Sequence, residues 1–288
     1  MSRDPTTNDS RRQWLRRGAA LGLAATAAAS GLGAGTAWAQ TPALDHTYAA
    51  WDALLKKHVR WLPDNKQSRV DYKGFAADRA ALQKVLAEWS AVSAAQFAGF
   101  SREQQMAFLI NAYNGFTIEL ILTKYPNLKS IKDLGSLLQS PWKNKFFTLL
   151  GERQHLDWIE HEMLRPKYAE PRVHAAVNCA SIGCPALRPE AFVAARLDAQ
   201  LEDGMQRFMA DRTRNRYADG KAQVNMIFKW FREDFEKGHR GWSRLEDMLA
   251  RYAEQLADAP ADPGPPEAVA GADSRPATTS FHASSTRL

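Results

Sequence analysis

Apolar positions in the first part of the chain recur at helical spacing. In "DHTYAAWDALLKKHVRWL" (45–62), Tyr48, Trp51, Leu54, Leu55, Val59 and Leu62 share one face, which predicts an amphipathic helix. "RVDYKGF" reads as a short extended link, and 75–92 as a second helix. Ser101, with Gln104 three residues on, has the form of a capping box. It opens a long, nearly unbroken apolar helix, "REQQMAFLINAYNGFTIELILTKY", which Pro126 ends.

Further along, the period changes. A short helix is expected over 131–138, then a hairpin in "KFFTLLGERQHLD" turning at Gly151. Asp157 is placed to cap "WIEHEMLRPKY", with Glu160 completing the box and Pro166 stopping the helix. "RVHAAVN" (172–178) alternates as a short strand, with Val173, Ala175 and Val177 on one face and His174, Ala176 and Asn178 on the other. "SIGCPALRPEAF" is a loop, 197–209 a helix, and "AQVNM" a short strand. Two amphipathic helices, "IFKWFREDFEKG" and "WSRLEDMLARYAEQ", follow. No repeat is present. The sum is a predominantly helical α+β single domain with a small antiparallel or mixed sheet.

Both ends fall outside this pattern. A basic stretch, "SRRQWLRR", precedes a short Gly/Ala-rich apolar run and an Ala-Trp-Ala site before Gln40. That order describes a cleavable export signal over 1–39, and the Arg11-Arg12 pair resembles the twin-arginine type. The run falls short of the roughly 20 strongly apolar residues a membrane span needs, so no stable insertion is expected after cleavage. Residues 40–257 form the expected domain, and the Pro/Ala/Ser-rich 258–288 a disordered tail. The expected location is periplasmic. The net charge of +6 falls to +3 without the leader, which holds five Arg and two Asp. No basic run dense enough for nucleic acid remains.

Candidate chemistry gathers in "RVHAAVNCASIGCPAL", which holds the only two cysteines, Cys179 and Cys184. Three readings stand side by side: a reactive thiol, a small disulfide ring, or buried free thiols. A straight strand would leave His174 well over about 10 Å from Cys179, so His161 or His155 is the better-placed partner. Glu160, His161, His174 and the cysteines are zinc-ligand types, but their spacing matches no metal motif, so neither metal nor cofactor is expected. Asn111 and Asn114 share a face of the apolar helix, where buried amides either tie down a loop or line a pocket.

"AFLINAYNGFTIELIL", "PWKNKFF", "LDWIEHEMLR", "RVHAAVNCASIGCPALRPEAF" and "IFKWFREDF" resemble, in order, the blocks of domain-of-unknown-function family 547 over 106–235. The resemblance implies Asn111, Asn114, Glu160, His174, Cys179, Ser181, Cys184 and Pro185 as its motif residues. The best functional expectation is an exported thiol-dependent amide or peptide hydrolase, or an acyl transferase. Cys184 or Cys179 would be the nucleophile, His174 or His161 the base, and Asn178 or Glu160 the orienting group. The alternative is a non-catalytic module that binds a small molecule, small peptide or thiol ligand through Asn111, Asn114, Asn178 and Ser181, braced by a disulfide.

Overall fold

The computed structural model describes residues 43–128, 131–135, 140–181 and 183–257. The expected export signal and C-terminal tail lie outside the described residues. The helices are α1 (Ala49–His58), α2 (Tyr72–Ala77), α3 (Arg79–Ser90), α4 (Ala94–Ala98), α5 (Arg102–Leu122), α6 (Arg165–Lys167), α7 (Leu197–Met209), α8 (Met226–Trp230), α9 (Arg232–Glu236), α10 (Leu245–Arg251) and α11 (Ala253–Leu256). Among the described residues, six short strands pair as local antiparallel hairpins: β1 (Val59–Trp61) with β2 (Ser68–Val70), β3 (Phe147–Leu149) with β4 (Glu152–Gln154), and β5 (Arg216–Ala218) with β6 (Lys221–Gln223). The fold is thus a mainly helical α+β arrangement in which the sheets are separate ribbons.

α5 organises the first core. Ser101 caps it, accepting from Gln104 N–H while Gln104 Oε1 accepts from Ser101 N–H, as the sequence predicts. Residues 106–118 and 120–122 are all buried, so the helix is apolar on every side and has neighbours all round. Gly115 lets α3 approach: a Cβ there would sit 2.8 Å from the Trp89 ring. Glu119 leaves the apolar run to pair with Arg79 of α3 at 2.7 Å. A second core gathers Met205, Phe208, Phe228, Phe235, Leu249 and Tyr252 from α7 to α10 and the residues after it. α7 joins the two, with Leu197 and Leu201 in the first and Met205, Phe208 and Met209 in the second.

Several elements depart from the sequence expectation. The first helix stops at His58, and Val59 starts a strand although its side chain stays buried. The helix expected over 75–92 starts earlier and breaks at Asp78, whose carboxylate takes hydrogen bonds from Lys57 and His58, each at 2.6 Å. The hairpin at Gly151 forms as expected, Leu150 and Gly151 both having positive φ. Of the helix expected over 131–138, residues Ile131–Leu134 form a 3-10 turn, and 136–138 lie outside the described residues.

"RVHAAVN" is not a strand. Pro171–Ala175 is a 3-10 turn, started by Pro171 and by the Glu170 carboxylate, which accepts from Arg172 N–H. Val173, His174, Ala175, Ala176 and Val177 are all buried, so the segment lacks the wet face that a half-exposed strand would show. α7 packs closely on it: a Cβ on Gly204 would sit 3.3 Å from the Ala175 carbonyl oxygen.

The "WIEHEML" segment also differs. Trp158–Leu164 is a π-helical turn running into α6, with Arg165 N–H bonded to the Glu160 carbonyl five residues back. Asp157 makes no side-chain cap; His155 Nδ1 accepts from Trp158 N–H instead, at 3.0 Å. Glu160, freed from the expected box, points inward. Pro166 lies within the helical run, which continues to Lys167.

Candidate functional site

The π turn, the 3-10 turn and the cysteine loop converge on a groove of about 730 Å³. Its inner wall carries Tyr113 from α5, Asp157, Glu160 and His161 from the π turn and its start, and His174. Cys179, Ser181, Gly183 and Cys184 form one edge. Residues 212–216, the strand end at 223–224 and the start of α8 form the other, with Trp230 and Phe231 beyond them. Trp230 is 60% exposed, an unusual setting for so large an apolar side chain.

Glu160 is the central titratable group. It is buried and hydrogen-bonded to the Tyr113 hydroxyl, which in turn is hydrogen-bonded to Trp142. Burial raises its pKa above the ordinary carboxyl value, because a charge there loses its water. The π turn gives Glu160 this position by widening the helix by one residue, a distortion recurrent at functional sites.

Beside it, His174 Nδ1 lies 3.7 Å from Glu160 Oε1. The opposite nitrogen, Nε2, is bonded to Asp234 Oδ2 at 2.9 Å. Phe231 stacks on the imidazole, centroid to centroid 4.3 Å and nearly parallel. Burial lowers the His174 pKa, with Asp234 pulling the other way. The ring is therefore neutral near pH 7, and Asp234 fixes the tautomer with the proton on Nε2. Nδ1 is left as an acceptor on the Glu160 side.

Burial alone would push Asp234 up, but hydrogen bonds from His174 and Arg165 hold its carboxyl far below the usual range. Lys237 Nζ, 3.1 Å from Oδ1, adds to this. Arg165 also contacts His161 Nδ1 at 3.2 Å and lies over the Phe231 ring at 4.6 Å. The result is a graded set: an ionised carboxylate, a neutral imidazole, and a carboxyl group whose pKa burial raises. Such a set can donate to or accept from a bound ligand.

Cys179 and Cys184 are joined in a disulfide. Cys184 is buried and Cys179 half-buried, yet both line the groove. The strand-based separation of His174 from Cys179 does not apply, because the 3-10 turn brings both to the same groove. Of the residues expected at the site, Glu160, His161, His174, Ser181 and both cysteines are brought together. His155, the other histidine considered as a cysteine partner, caps the π turn instead.

The three asparagines have a different place. Asn111 donates to the Phe192 carbonyl at 2.8 Å and accepts from Phe192 N–H at 3.0 Å. Asn114 donates to the Ala176 carbonyl and accepts from Asn178 N–H. Asn178 donates to the Pro185 carbonyl at 2.6 Å and accepts from Ala180 N–H. None of the three lines the groove; they hold its loop against α5. Among the described residues no cluster of three or more His, Cys, Asp or Glu could hold a metal ion.

Asp234, Tyr113 and Arg165 were not singled out by the sequence. A signal for Asp234 was present: it stands three residues after Phe231 and one before Phe235, an acid on an apolar helical face.

Fold and groove together define a mainly helical α+β domain with a buried acid–base set beneath a disulfide-closed loop. The model of the family described as "Protein of unknown function, DUF547" matches residues 97–209. The match runs from α4 to the end of α7 and takes in Glu160, His174 and both cysteines, but ends before Asp234. No curated protein and no solved structure matches the chain.

Proposed function

We propose that the groove binds a small peptide or peptide-like ligand, with protonated Glu160 donating a hydrogen bond to a ligand carbonyl or carboxylate. The observation that carries this reading is the buried Glu160 carboxyl at the groove wall, its pKa raised by burial, beside a neutral imidazole anchored by Asp234. Volume supports it as well, falling within the about 300–1,000 Å³ of ordinary ligand pockets. Trp142, Trp230 and Phe231 add aromatic surface around the groove. A bonded pair of sulfurs offers no thiolate for attack, which favours binding over thiol catalysis in this state.

The test is a thermal-shift and NMR screen of short peptides and their amides against wild type and Glu160→Gln. Ligands should bind more weakly as pH rises past the raised Glu160 pKa, and Glu160→Gln, which keeps a donor, should lose that pH dependence. If no peptide binds, or the variant retains the wild-type pH profile, the reading fails.

A second reading has its own support. Both cysteines line the groove together with His174, which is bonded to Asp234 behind it, the orienting arrangement a thiol hydrolase or acyl transferase uses. It applies to the reduced protein. Turnover of activated amides or thioesters after reduction, abolished by His174→Ala, would establish it; a reduced protein inert to such substrates would exclude it.

A bonded cysteine pair also fits an oxidising compartment, which supports export by the N-terminal segment. Changing Arg11 and Arg12 together to Lys should retain the chain in the cytoplasm, as cell fractionation would read; undiminished export would argue against the twin-arginine route.

A further inference from the structure

We infer that the Cys179–Cys184 disulfide is a reactive group that exchanges with low-molecular-weight thiols entering the groove, and is not the staple of its loop. The inference rests on the position of the sulfurs and the bonding around them, independently of the role given to Glu160.

A staple is needed where nothing else closes the loop. Here the Asn178 side chain donates to the Pro185 carbonyl at 2.6 Å, closing the same loop one residue outside each cysteine. Asn178 is itself held by Asn114 through its N–H at 2.8 Å. Within the loop, Cys184 N–H donates to the Ser181 carbonyl at 2.9 Å, and Asn225 reaches across to the Gly183 carbonyl at 3.0 Å. These bonds would keep the loop folded with the sulfurs apart. The covalent closure spans a sequence separation of only 5, and the unfolded-chain entropy a cross-link removes is least for short loops. Ala180, inside the ring, has φ 56°, a left-handed backbone unfavourable for a residue with a Cβ.

Position completes the argument. A structural disulfide is usually sunk in a core, but both of these cysteines are among the residues that line the groove. Cys179 is the more accessible, with Cys184 buried behind it. That asymmetry sets the direction of exchange. The thiolate of a small thiol attacks Sγ of Cys179, a new S–S bond forms between them, and the old bond breaks with its electron pair leaving on Cys184. The proton lost by the incoming thiol is balanced by the one Cys184 takes from water. A second thiol then attacks the mixed disulfide, releasing the oxidised small molecule and leaving two protein thiols. Two electrons pass from two thiols to the protein disulfide.

The experiment uses the full chain, folded, with reduced glutathione as probe. Intact mass after acid quenching follows reduction, and near-UV circular dichroism follows the fold. The expected result is opening of the native disulfide within about tenfold of its rate in the urea-unfolded chain, as accessibility to the thiolate requires, with an unchanged near-UV spectrum. A second arm uses oxidised glutathione. Cys184→Ser should acquire one adduct at Cys179 while folded, and Cys179→Ser should acquire one only after unfolding. A disulfide that resists glutathione until urea is added, or a fold that collapses on reduction, would overturn the inference. Should either variant fail to fold, the wild-type rates alone decide.

Discussion

At the scale of single residues, Glu160 and Asp234 pull stability in opposite senses. Folding raises the Glu160 pKa above its ordinary 4.5, so the folded chain holds the extra proton between that value and the raised one. Stability must therefore fall as pH rises through this window. Glu160→Gln removes the penalty: its Tm should match wild type at acid pH, below the ordinary carboxyl value, and exceed it at alkaline pH. A lower Tm at alkaline pH would mean that the carboxylate is stabilising. Asp234 behaves in reverse. Its pKa is depressed in the folded state, so its contribution is present above 3.8 and lost as pH falls toward the folded value. His174 adds to the acid limb, since its lowered pKa makes stability fall as pH drops below 6.5. Asp234→Asn leaves Arg165 and Lys237 without their buried partner and should cost about 3 kcal/mol at neutral pH. Urea unfolding at several pH values would check both the loss and a flatter acid limb.

Elements carry these residues, and α5 carries most of the arrangement. Its Asn111 satisfies two backbone groups of Phe192, both buried with it. Asn111→Ala strands both, at about 1–3 kcal/mol each, and should destabilise by about 2–4 kcal/mol in chemical denaturation. A loss under 1 kcal/mol would show that water replaces the amide. α5 and α7 were legible in the sequence because each carries an unambiguous signal: a capping box before a continuous apolar run, and a long amphipathic repeat with matching bounds. The elements nearest the groove were not. Alternation in "RVHAAVN" mimics a strand because Val173 and Val177 must be buried, yet the intervening residues are buried too, and periodicity cannot report that. The box expected of Asp157 and Glu160 lost to a competing tertiary bond, Glu160 with Tyr113, from a helix more than forty residues earlier. The candidate cysteines, His174 and Glu160 could be listed from residue type; their convergence depends on loop paths that no local pattern encodes.

For the molecule as a whole, the two cores meet along α7, and the described chain closes at its far end through Arg212, which donates to the carbonyls of Gln255 and Ala257. Tyr217 bridges to Ala257 at the same place, and Leu256 is buried in the second core. A chain ending at Ala257 should keep the full-length Tm. One ending at Tyr252 loses Leu256 and the Arg212 contacts and should fall by about 3 kcal/mol or more, by comparison with buried Leu truncations. Circular dichroism melts of the two truncations separate these outcomes, and equal melts would mean that the last turn contributes nothing. Two cores sharing a helix also imply that the groove is lined from both: Tyr113 belongs to the first, and Phe231 packs against the second.

The π turn at Trp158–Leu164 amounts to one surplus residue in a helix. Its length, and no side chain in particular, aims Glu160 at the groove. Deleting a single residue from the turn would let the segment relax to ordinary helical pitch, leaving the flanking turns close to register but removing the bulge that carries Glu160. Glu160 and His161 could then no longer keep their present bearings while Arg165 keeps its hold on Asp234. The site's geometry is set by counting as much as by composition, and a deletion that spares every named side chain would still rearrange it.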